Sequence, residues 1–226
     1  MIEQALRGIE AVLFVIGALL PMINPFGGAP IFLGLTAGCS PAERTLIARR
    51  VALYGFGLLI GSFFLGSHVL AFFGVSVPAL RVAGGLVVMA AGWNLLNRGA
   101  EPATAGATTR WTPEELASRA FYPLTLPLTV GPGSISVAVT LGADISRYST
   151  SPLFSAIVAL VGMGLIALSI YLPYRFAERF SRLLGQTGIG ILVRLSAFLL
   201  LCIGVEIAWK GASAMLTSLL KTTIPT

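Results

Sequence analysis

Charge is scarce in this chain. Of its 226 residues, only 11% are charged and 56% are hydrophobic, whereas soluble domains carry about 25% charged residues. With a mean hydropathy of +0.89, the chain has more apolar surface than a folded core could hide from water, so lipid must solvate part of it. The sequence therefore predicts an integral membrane protein whose main surroundings are the lipid bilayer.

Cysteine and histidine are almost missing, and so are catalytic motifs. Cys39 lies in a polar loop and Cys202 in an apolar run, which indicates no disulfide framework or metal cluster. The single histidine, His68, excludes a multi-histidine metal site. The sequence has no HExxH, no GxSxG, no close pair of intramembrane aspartates and no ATP-binding motif. We therefore expect no enzyme activity, no metal and no cofactor.

Six apolar stretches are long enough to cross the hydrocarbon core of a bilayer, which takes about 20 helical residues for roughly 30 Å. They lie near residues 9–36, 51–74, 78–97, 120–143, 152–174 and 188–209. Because only helices or closed barrels satisfy backbone groups in lipid, these runs predict an all-α polytopic membrane protein with six transmembrane helices. An even number of spans puts both termini on the same side.

The distribution of basic residues predicts the orientation. The loops after spans one, three and five hold nine arginines: Arg44, Arg49, Arg50, Arg98, Arg110, Arg119, Arg175, Arg179 and Arg182. The opposite face holds five basic residues: Arg7, Arg81, Arg147, Lys210 and Lys221. The positive-inside rule then makes the three arginine-rich loops cytoplasmic and places both termini on the outer side of the membrane. This bias also explains the net charge of +6, so we expect no nucleic-acid partner.

The two halves of the chain resemble each other. Pro25 and Pro132 are 107 residues apart in Gly-rich surroundings, and Arg81 and Arg194, which open spans three and six, are 113 residues apart. Three spans per copy is an odd number, so the second copy must be inverted, as in many secondary transporters. We predict a first three-helix repeat over residues 1–100, a cytoplasmic connecting loop over 101–119 and a second inverted repeat over 120–226. The end of that loop, Thr112-Pro113-Glu114-Glu115, has the pattern of a short interfacial helix start.

Spans one and four cannot be continuous helices. The first contains Pro21, Asn24-Pro25-Phe26-Gly27-Gly28 and Pro30, and the second contains Pro123, Pro127 and Gly131-Pro132-Gly133-Ser134. Proline removes a backbone donor and clashes one turn back. A simple kink is the alternative interpretation, but paired Gly- and Pro-rich breaks at matching positions are typical of a transporter's binding site. We predict that new helices start at Pro30 and, with Ser134 as N-cap, after the second break.

The predicted site consists of free backbone groups without ionised side chains. Residues 11–36 and 120–143 contain no Asp, Glu, Lys, Arg or His. Helix N-termini present N–H groups and positive partial charge, and helix C-termini present carbonyls. Such a site suits a small zwitterion, whose carboxylate meets the N–H groups and whose ammonium meets the carbonyls.

Outside the broken spans, two titratable residues are candidates for proton coupling. Glu206 lies four residues before Lys210, so it forms either an interfacial ion pair or the carboxylate of a proton step. His68, late in span two, is either a packed interfacial imidazole or a relay. Gly57-Gly61 and Gly84, Gly85 and Gly92 predict small packing faces.

The motifs of the two breaks also resemble those of a known family. The pattern Asn24-Pro25-Phe26-Gly27-x-x-Pro30-x-Phe32-Leu33-x-Leu35-Thr36, followed by Pro127-x-x-x-Gly131-Pro132-Gly133, is similar to the MarC family across essentially the whole chain. The resemblance implies a six-span bacterial inner-membrane protein that transports small neutral amino acids such as glycine and alanine, with proton coupling for some members.

The family's broken-helix site corresponds to two sets of residues in this chain. They are Asn24, Pro25, Phe26, Gly27 and Gly28, and Gly131, Pro132, Gly133 and Ser134. Two alternatives stay open at this stage: an exporter or channel-like pathway for another small polar solute, and a non-transporting membrane scaffold.

Overall fold

The structure, a computed structural model, describes residues 2–36, 38–98, 113–144 and 151–223, and all regular secondary structure in those ranges is helical. The elements in chain order are α1 (Ile2–Ile23), α2 (Pro25–Leu35), α3 (Pro41–Phe72), α4 (Val77–Arg98), α5 (Pro113–Arg119), a π-helical segment (Ala120–Thr129), α6 (Pro132–Asp144), α7 (Pro152–Arg175) and α8 (Ala177–Thr223). The predicted all-α class is confirmed.

Five of these helices are long and apolar enough to cross a membrane. They contain the stretches Leu6–Ile23, Pro41–Phe72, Val77–Asn97, Leu153–Arg175 and Thr187–Leu220. A sixth span is possible in two parts, residues 114–129 and α6. The two parts are bent by 72° relative to each other and form one span only if they are counted together. The helix α2 is a shorter apolar helix between the first two spans.

Capping residues rather than hydropathy set the ends of the helices. The helix α3 begins at Pro41, ten residues before the predicted span, because Ser40 and Glu43 form a capping box. The Ser40 N–H donates to the Glu43 carboxylate at 2.7 Å, and the Glu43 N–H donates to Ser40 Oγ at 3.3 Å. At the other end of the chain, α8 continues to Thr223, beyond the predicted end at residue 209.

The long α8 is divided by Gly185. This residue has φ of 64°, a left-handed conformation that glycine adopts without steric cost. The kink separates a short stretch, residues 177–184, from the apolar part of the helix. Upstream, the short helix α5 confirms the predicted helix start at Pro113, while residues 101–112 of the predicted connecting loop lie outside the described residues.

The helices α4 and α8 pack against each other backbone to backbone. A Cβ on Gly85 would lie 2.6 Å from the Gly204 carbonyl oxygen, and one on Gly92 would lie 2.9 Å from the Ala197 carbonyl oxygen. A Cβ on Gly211 would likewise lie 2.6 Å from the Pro78 carbonyl oxygen. The small face predicted on span three is therefore a packing face, because small residues let membrane helices approach closely.

The GxxxG of Gly57 and Gly61 has no such role within the described chain. A Cβ on either glycine would meet no atom within 4 Å. Instead, α3 approaches α6 at Gly142, where a Cβ would run into the carbonyl oxygen of Phe63. The glycine pair in α3 was predicted from spacing alone, and spacing does not fix which face meets a neighbour.

Candidate functional site

The first break, residues 24–28, joins α1 to α2 through one left-handed residue. Asn24 has φ of 45° and ψ of 59°, a region that asparagine tolerates better than most non-glycine residues. Its Oδ1 accepts the Gly27 N–H at 3.2 Å, which caps α2. The Gly28 N–H donates to the Asn24 carbonyl at 2.9 Å, so the helical bonding pattern resumes immediately.

The helix after this break starts earlier than the sequence predicts. Asn24 provides the cap and Pro25 occupies the first helical position, where its missing N–H costs nothing. Pro30 lies inside α2, and the prediction that the new helix begins there is wrong. The side-chain cap of Asn24 decided the boundary five residues upstream.

Two glycines of the first break are required by neighbouring side chains. A Cβ on Gly27 would lie 2.7 Å from Ser196 Oγ, and one on Gly28 would lie 2.6 Å from the Tyr174 hydroxyl. Both distances are shorter than real Cβ contacts. The Ser196 hydroxyl also donates to Asn24 Oδ1 at 3.3 Å. In this structure, protein side chains from α7 and α8 therefore occupy the space beside these two glycines.

The second break, residues 131–134, precedes α6. Ser134 lies in the first turn of α6 and its hydroxyl donates to the Gly131 carbonyl at 2.9 Å. The prediction of Ser134 as an N-cap is wrong, since α6 already begins at Pro132 and the serine hydroxyl acts as a donor. A Cβ on Gly133 would collide with Val88 of α4 and lie 2.8 Å from Met22 Cε of α1. Gly133 therefore fits only as glycine between the two helices.

The backbone before the second break is held by threonine hydroxyls. Tyr122 and Leu126, each preceding a proline, have extended φ/ψ values inside the π-helical segment. Thr125 Oγ1 donates to the Ala120 carbonyl at 2.6 Å, and Thr129 Oγ1 donates to the Leu124 carbonyl at 2.7 Å. Both threonines are buried. Irregular backbone within a membrane needs such internal partners because lipid offers none.

Tyr174 of α7 connects the two broken regions. Its side chain is fully buried, and its ring stacks on Phe32 of α2 with centroids 4.5 Å apart. Its hydroxyl lies 2.9 Å from Thr129 Oγ1. Because the Thr129 proton is already donated to the Leu124 carbonyl, the tyrosine O–H is the donor in this contact. Tyr174 therefore contacts Phe32, four residues after Gly28, and Thr129, two residues before Gly131.

Sequence reasoning missed Tyr174, Thr129 and Ser196. One signal in the sequence could have found Tyr174. It is a tyrosine near the end of an apolar run, and a buried phenol needs a hydrogen-bond partner.

Most of the predicted site residues are buried, namely Pro25, Gly27, Gly28, Gly133 and Ser134. In contrast, Phe26 is 50% exposed and Pro132 is exposed. Phe26 instead contacts Phe180 of α8, with ring centroids 6.0 Å apart.

A cavity of about 250 Å³ runs along α6 from the turn after the second break. It is lined by Phe14, Ala18, Arg81, Ser136, Val137, Thr140, Leu141, Asp144, Ile207 and Lys210. Arg81 of α4 reaches Asp144 of α6, with 3.0 Å between guanidinium nitrogen and carboxylate oxygen, and also donates to Thr140 Oγ1 at 3.2 Å. Both charged residues lie outside the uncharged stretches 11–36 and 120–143, and Asp144 is the last residue of α6.

The two candidates for proton coupling lie on exposed surfaces. Glu206 pairs with Lys210 at 3.1 Å, which is the predicted i,i+4 ion pair. Glu206 and His68 are both exposed. A role for either in proton movement stays a prediction.

The fold and these breaks define a class, namely a multi-pass helical membrane protein with irregular backbone at two buried places. Comparison with known proteins gives the particular family. The model of the family described as "MarC family integral membrane protein" matches residues 9–216. The chain is 33% identical to an inner membrane protein MarC of Escherichia coli O1:K1 over 201 residues, which covers 85% of this chain and 90% of that protein.

Inner membrane protein MarC of Shigella flexneri is 32% identical over the same shares of the two chains. No solved structure matches this chain at a significant level. The chain belongs to the MarC family and is a multi-pass inner-membrane protein.

Proposed function

We propose that this protein is a secondary transporter for small neutral amino acids such as glycine and alanine. The observation that carries the proposal is the meeting of the two broken regions at Tyr174. The predicted site residues of both breaks are uncharged. Their backbone groups, the Asn24 amide oxygen and the Ser134 hydroxyl bond to one another in this structure, and we propose that a substrate takes over some of these bonds. Discontinuous helices of this kind bind substrates in secondary transporters.

The packing supports two inverted repeats, an arrangement found in many transporters that work by alternating access. The helix α3 packs on the π-helical segment and α6, while its counterpart α7 packs on α1 and α2. Similarly, α4 contacts α6 and α8 contacts α2, and the pairs α3–α7 and α4–α8 pack on each other. Exchanging the halves reproduces this pattern, so we propose that the repeats move against each other around the breaks.

The cavity along α6 supports a zwitterionic substrate. Its volume of about 250 Å³ lies below the range of about 300–1,000 Å³ that is typical of drug-sized ligands, so it favours a small solute. Arg81 and Asp144 on its wall carry opposite charges that match the carboxylate and the ammonium of an amino acid. We propose that the arriving substrate competes for this pair before it reaches the second break.

Counterflow in proteoliposomes tests the function. Protein reconstituted with an internal excess of unlabelled glycine or alanine should accumulate the labelled amino acid transiently and saturably. Gly133→Val should abolish counterflow, because its side chain would collide with Val88 and Met22. Gly17→Val is the matched control, since a Cβ at Gly17 meets nothing within 4 Å, and it should retain counterflow.

Three outcomes would contradict the proposal. Absence of counterflow with any neutral amino acid would remove the substrate assignment, and uptake that does not saturate would favour a channel-like pathway. If Gly133→Val and Gly17→Val lost counterflow equally, the loss could not be assigned to the second break. Size-exclusion profiles of all variants distinguish lost transport from lost folding.

A parallel assay with an imposed proton gradient, using Glu206→Gln and His68→Gln, tests the coupling candidates.

A further inference from the structure

A second polar pocket lies away from the breaks, where the start of α3 meets the junction of α7 and α8. Its volume is about 360 Å³. It is lined by Pro41, Arg44, Thr45, Arg175, Phe176, Glu178, Arg179 and Arg182. Nothing in the proposed transport mechanism uses this pocket.

The pocket is strongly positive. Four guanidinium groups face one carboxylate, which leaves three net positive charges. Arg44 is committed to the protein: it donates to the Thr36 and Cys39 carbonyls at 3.2 and 3.3 Å and lies 3.3 Å from the Glu178 carboxylate. The Glu178 charge is thereby balanced by a side chain that is only 12% exposed.

The other three arginines are held in place largely by their neighbours. Arg175 donates to the Tyr171 hydroxyl at 2.9 Å, and its guanidinium lies 5.4 Å from the centre of the Phe176 ring. Arg179 lies over the same ring at 5.7 Å. Arg182, which is 73% exposed, lies 3.7 Å from Glu178. The exposed guanidinium groups present planar forks of N–H donors, a geometry that matches phosphate oxygens.

The position of the pocket favours a lipid phosphate over a free phosphate ion as its ligand. The apolar span of α7 ends at Arg175, so the pocket lies at the level where hydrocarbon gives way to headgroups. Apolar side chains are exposed beside the arginines, with Leu172 43%, Phe176 41% and Leu183 87% exposed. Acyl chains can cover such residues, whereas a free phosphate ion cannot.

We propose that this pocket binds the phosphate headgroup of an anionic phospholipid. Basic pockets between membrane helices at the bilayer surface bind such headgroups in general. The stretch 177–184 of α8 supplies Arg179 and Arg182 and, between them, Phe180, whose ring contacts Phe26 of the first break. A bound lipid would therefore rest on the same short stretch that supports the first break.

Native mass spectrometry of the purified full-length protein tests the proposal without a transport assay. Dioleoylphosphatidylglycerol is titrated against dioleoylphosphatidylcholine, which has the same acyl chains and no net charge. The phosphatidylglycerol adduct should form preferentially. Arg179→Gln combined with Arg182→Gln should weaken it on the order of tenfold, whereas the control Arg49→Gln combined with Arg194→Gln, which removes the same charge outside the pocket lining, should change it less than about twofold.

A third arm adds inorganic phosphate at millimolar concentration. Displacement of phosphatidylglycerol by phosphate alone would show a free-anion site and overturn the lipid assignment. Equal binding of both lipids, or equal losses in the pocket and control variants, would also overturn it. If the double variant fails to elute as a single species, Arg179→Gln alone is tested, and unchanged phosphatidylglycerol binding in that variant counts against the pocket.

Discussion

The two breaks, whose prolines Pro25 and Pro132 lie 107 residues apart, are built differently. At the first break, one asparagine in a left-handed conformation turns the chain, and helical hydrogen bonds resume at Gly28. At the second, a ten-residue segment with two prolines and extended backbone at Tyr122 and Leu126 precedes the break, and threonine hydroxyls bond to its irregular carbonyls. The first uses an amide side chain and the second uses hydroxyls.

The difference shows what a break in a membrane helix requires. Lipid requires each unwound carbonyl and N–H to find a partner inside the protein, but it does not specify which side chain supplies that partner. The common features are the location of the break and the glycines that admit neighbouring side chains. Four substitutions follow, ordered from the largest expected effect to the smallest, and each tests this contrast by thermal unfolding of the purified protein in detergent.

Asn24→Ala should be the most destabilising. Alanine in the left-handed region costs roughly 1–2 kcal/mol, and loss of the cap costs about 1 kcal/mol more. Asn24→Gly, which tolerates the conformation, should recover the conformational part and still lack the bond from Ser196. If alanine and glycine lower the unfolding midpoint equally, the asparagine acts through its hydrogen bonds alone and the left-handed turn is not what defines the first break.

Thr129→Val should destabilise the second break by about 2 kcal/mol, because a buried carbonyl and a buried phenol lose their partner together. Thr129→Ser keeps the hydroxyl and should behave nearly as wild type. Thr217→Val is the control, since Thr217 also bonds to a backbone carbonyl but is exposed. A valine variant as stable as wild type would mean that hydroxyls do not hold this break.

Gly28→Ala should cost about 1–2 kcal/mol, because the new methyl group would be too close to the Tyr174 hydroxyl in a site with no room to adjust. Tyr174→Phe alone should cost about 1 kcal/mol for the lost hydrogen bond, yet it should relieve the alanine variant, since the ring carbons lie 3.4 Å from the added Cβ. A double-mutant cycle measures this coupling. Simple additivity of the two substitutions would contradict the contact between Tyr174 and the first break.

Arg81→Gln should have the smallest effect, under about 1 kcal/mol, because the ion pair with Asp144 is partly exposed to solvent. Arg194, its predicted counterpart in the second half, is exposed, and Arg194→Gln should change the unfolding midpoint hardly at all. Reversal of both charges, Arg81→Asp with Asp144→Arg, should restore part of the loss. If Arg81→Gln and Arg194→Gln lowered the unfolding midpoint equally, the ion pair with Asp144 would not distinguish the two arginines.

The sequence was sufficient for the spans and for the places where they break. Apolar run lengths predicted the membrane helices, and Asn24-Pro25 and Gly131-Pro132 marked the interruptions, because proline and glycine act locally on the backbone. Helix starts were less predictable. Pro30 and Ser134 both fit a first turn by residue type, but Asn24 and Pro132 started the helices first.

The contacts that assemble the site could not be predicted from one sequence. Tyr174 lies 45 residues from Thr129, and Ser196 lies 172 residues from Asn24. Arg81 lies 63 residues from Asp144. Local patterns identify residues that need partners, but only the packing of helices determines which partner each residue meets.

The glycine contacts between α4 and α8 limit how this protein can change shape. Where backbones touch at Gly85, Gly92, Gly204 and Gly211, there are few side chains between the helices that could adopt new rotamers to accommodate sliding. A displacement of one helix along the other would drive carbonyl oxygens into Cα atoms. Relative movement of the two halves should therefore be a rotation about this contact and not a slide along it. Crosslinks placed within the pair should leave activity intact, whereas crosslinks from the pair to its neighbours should stop it.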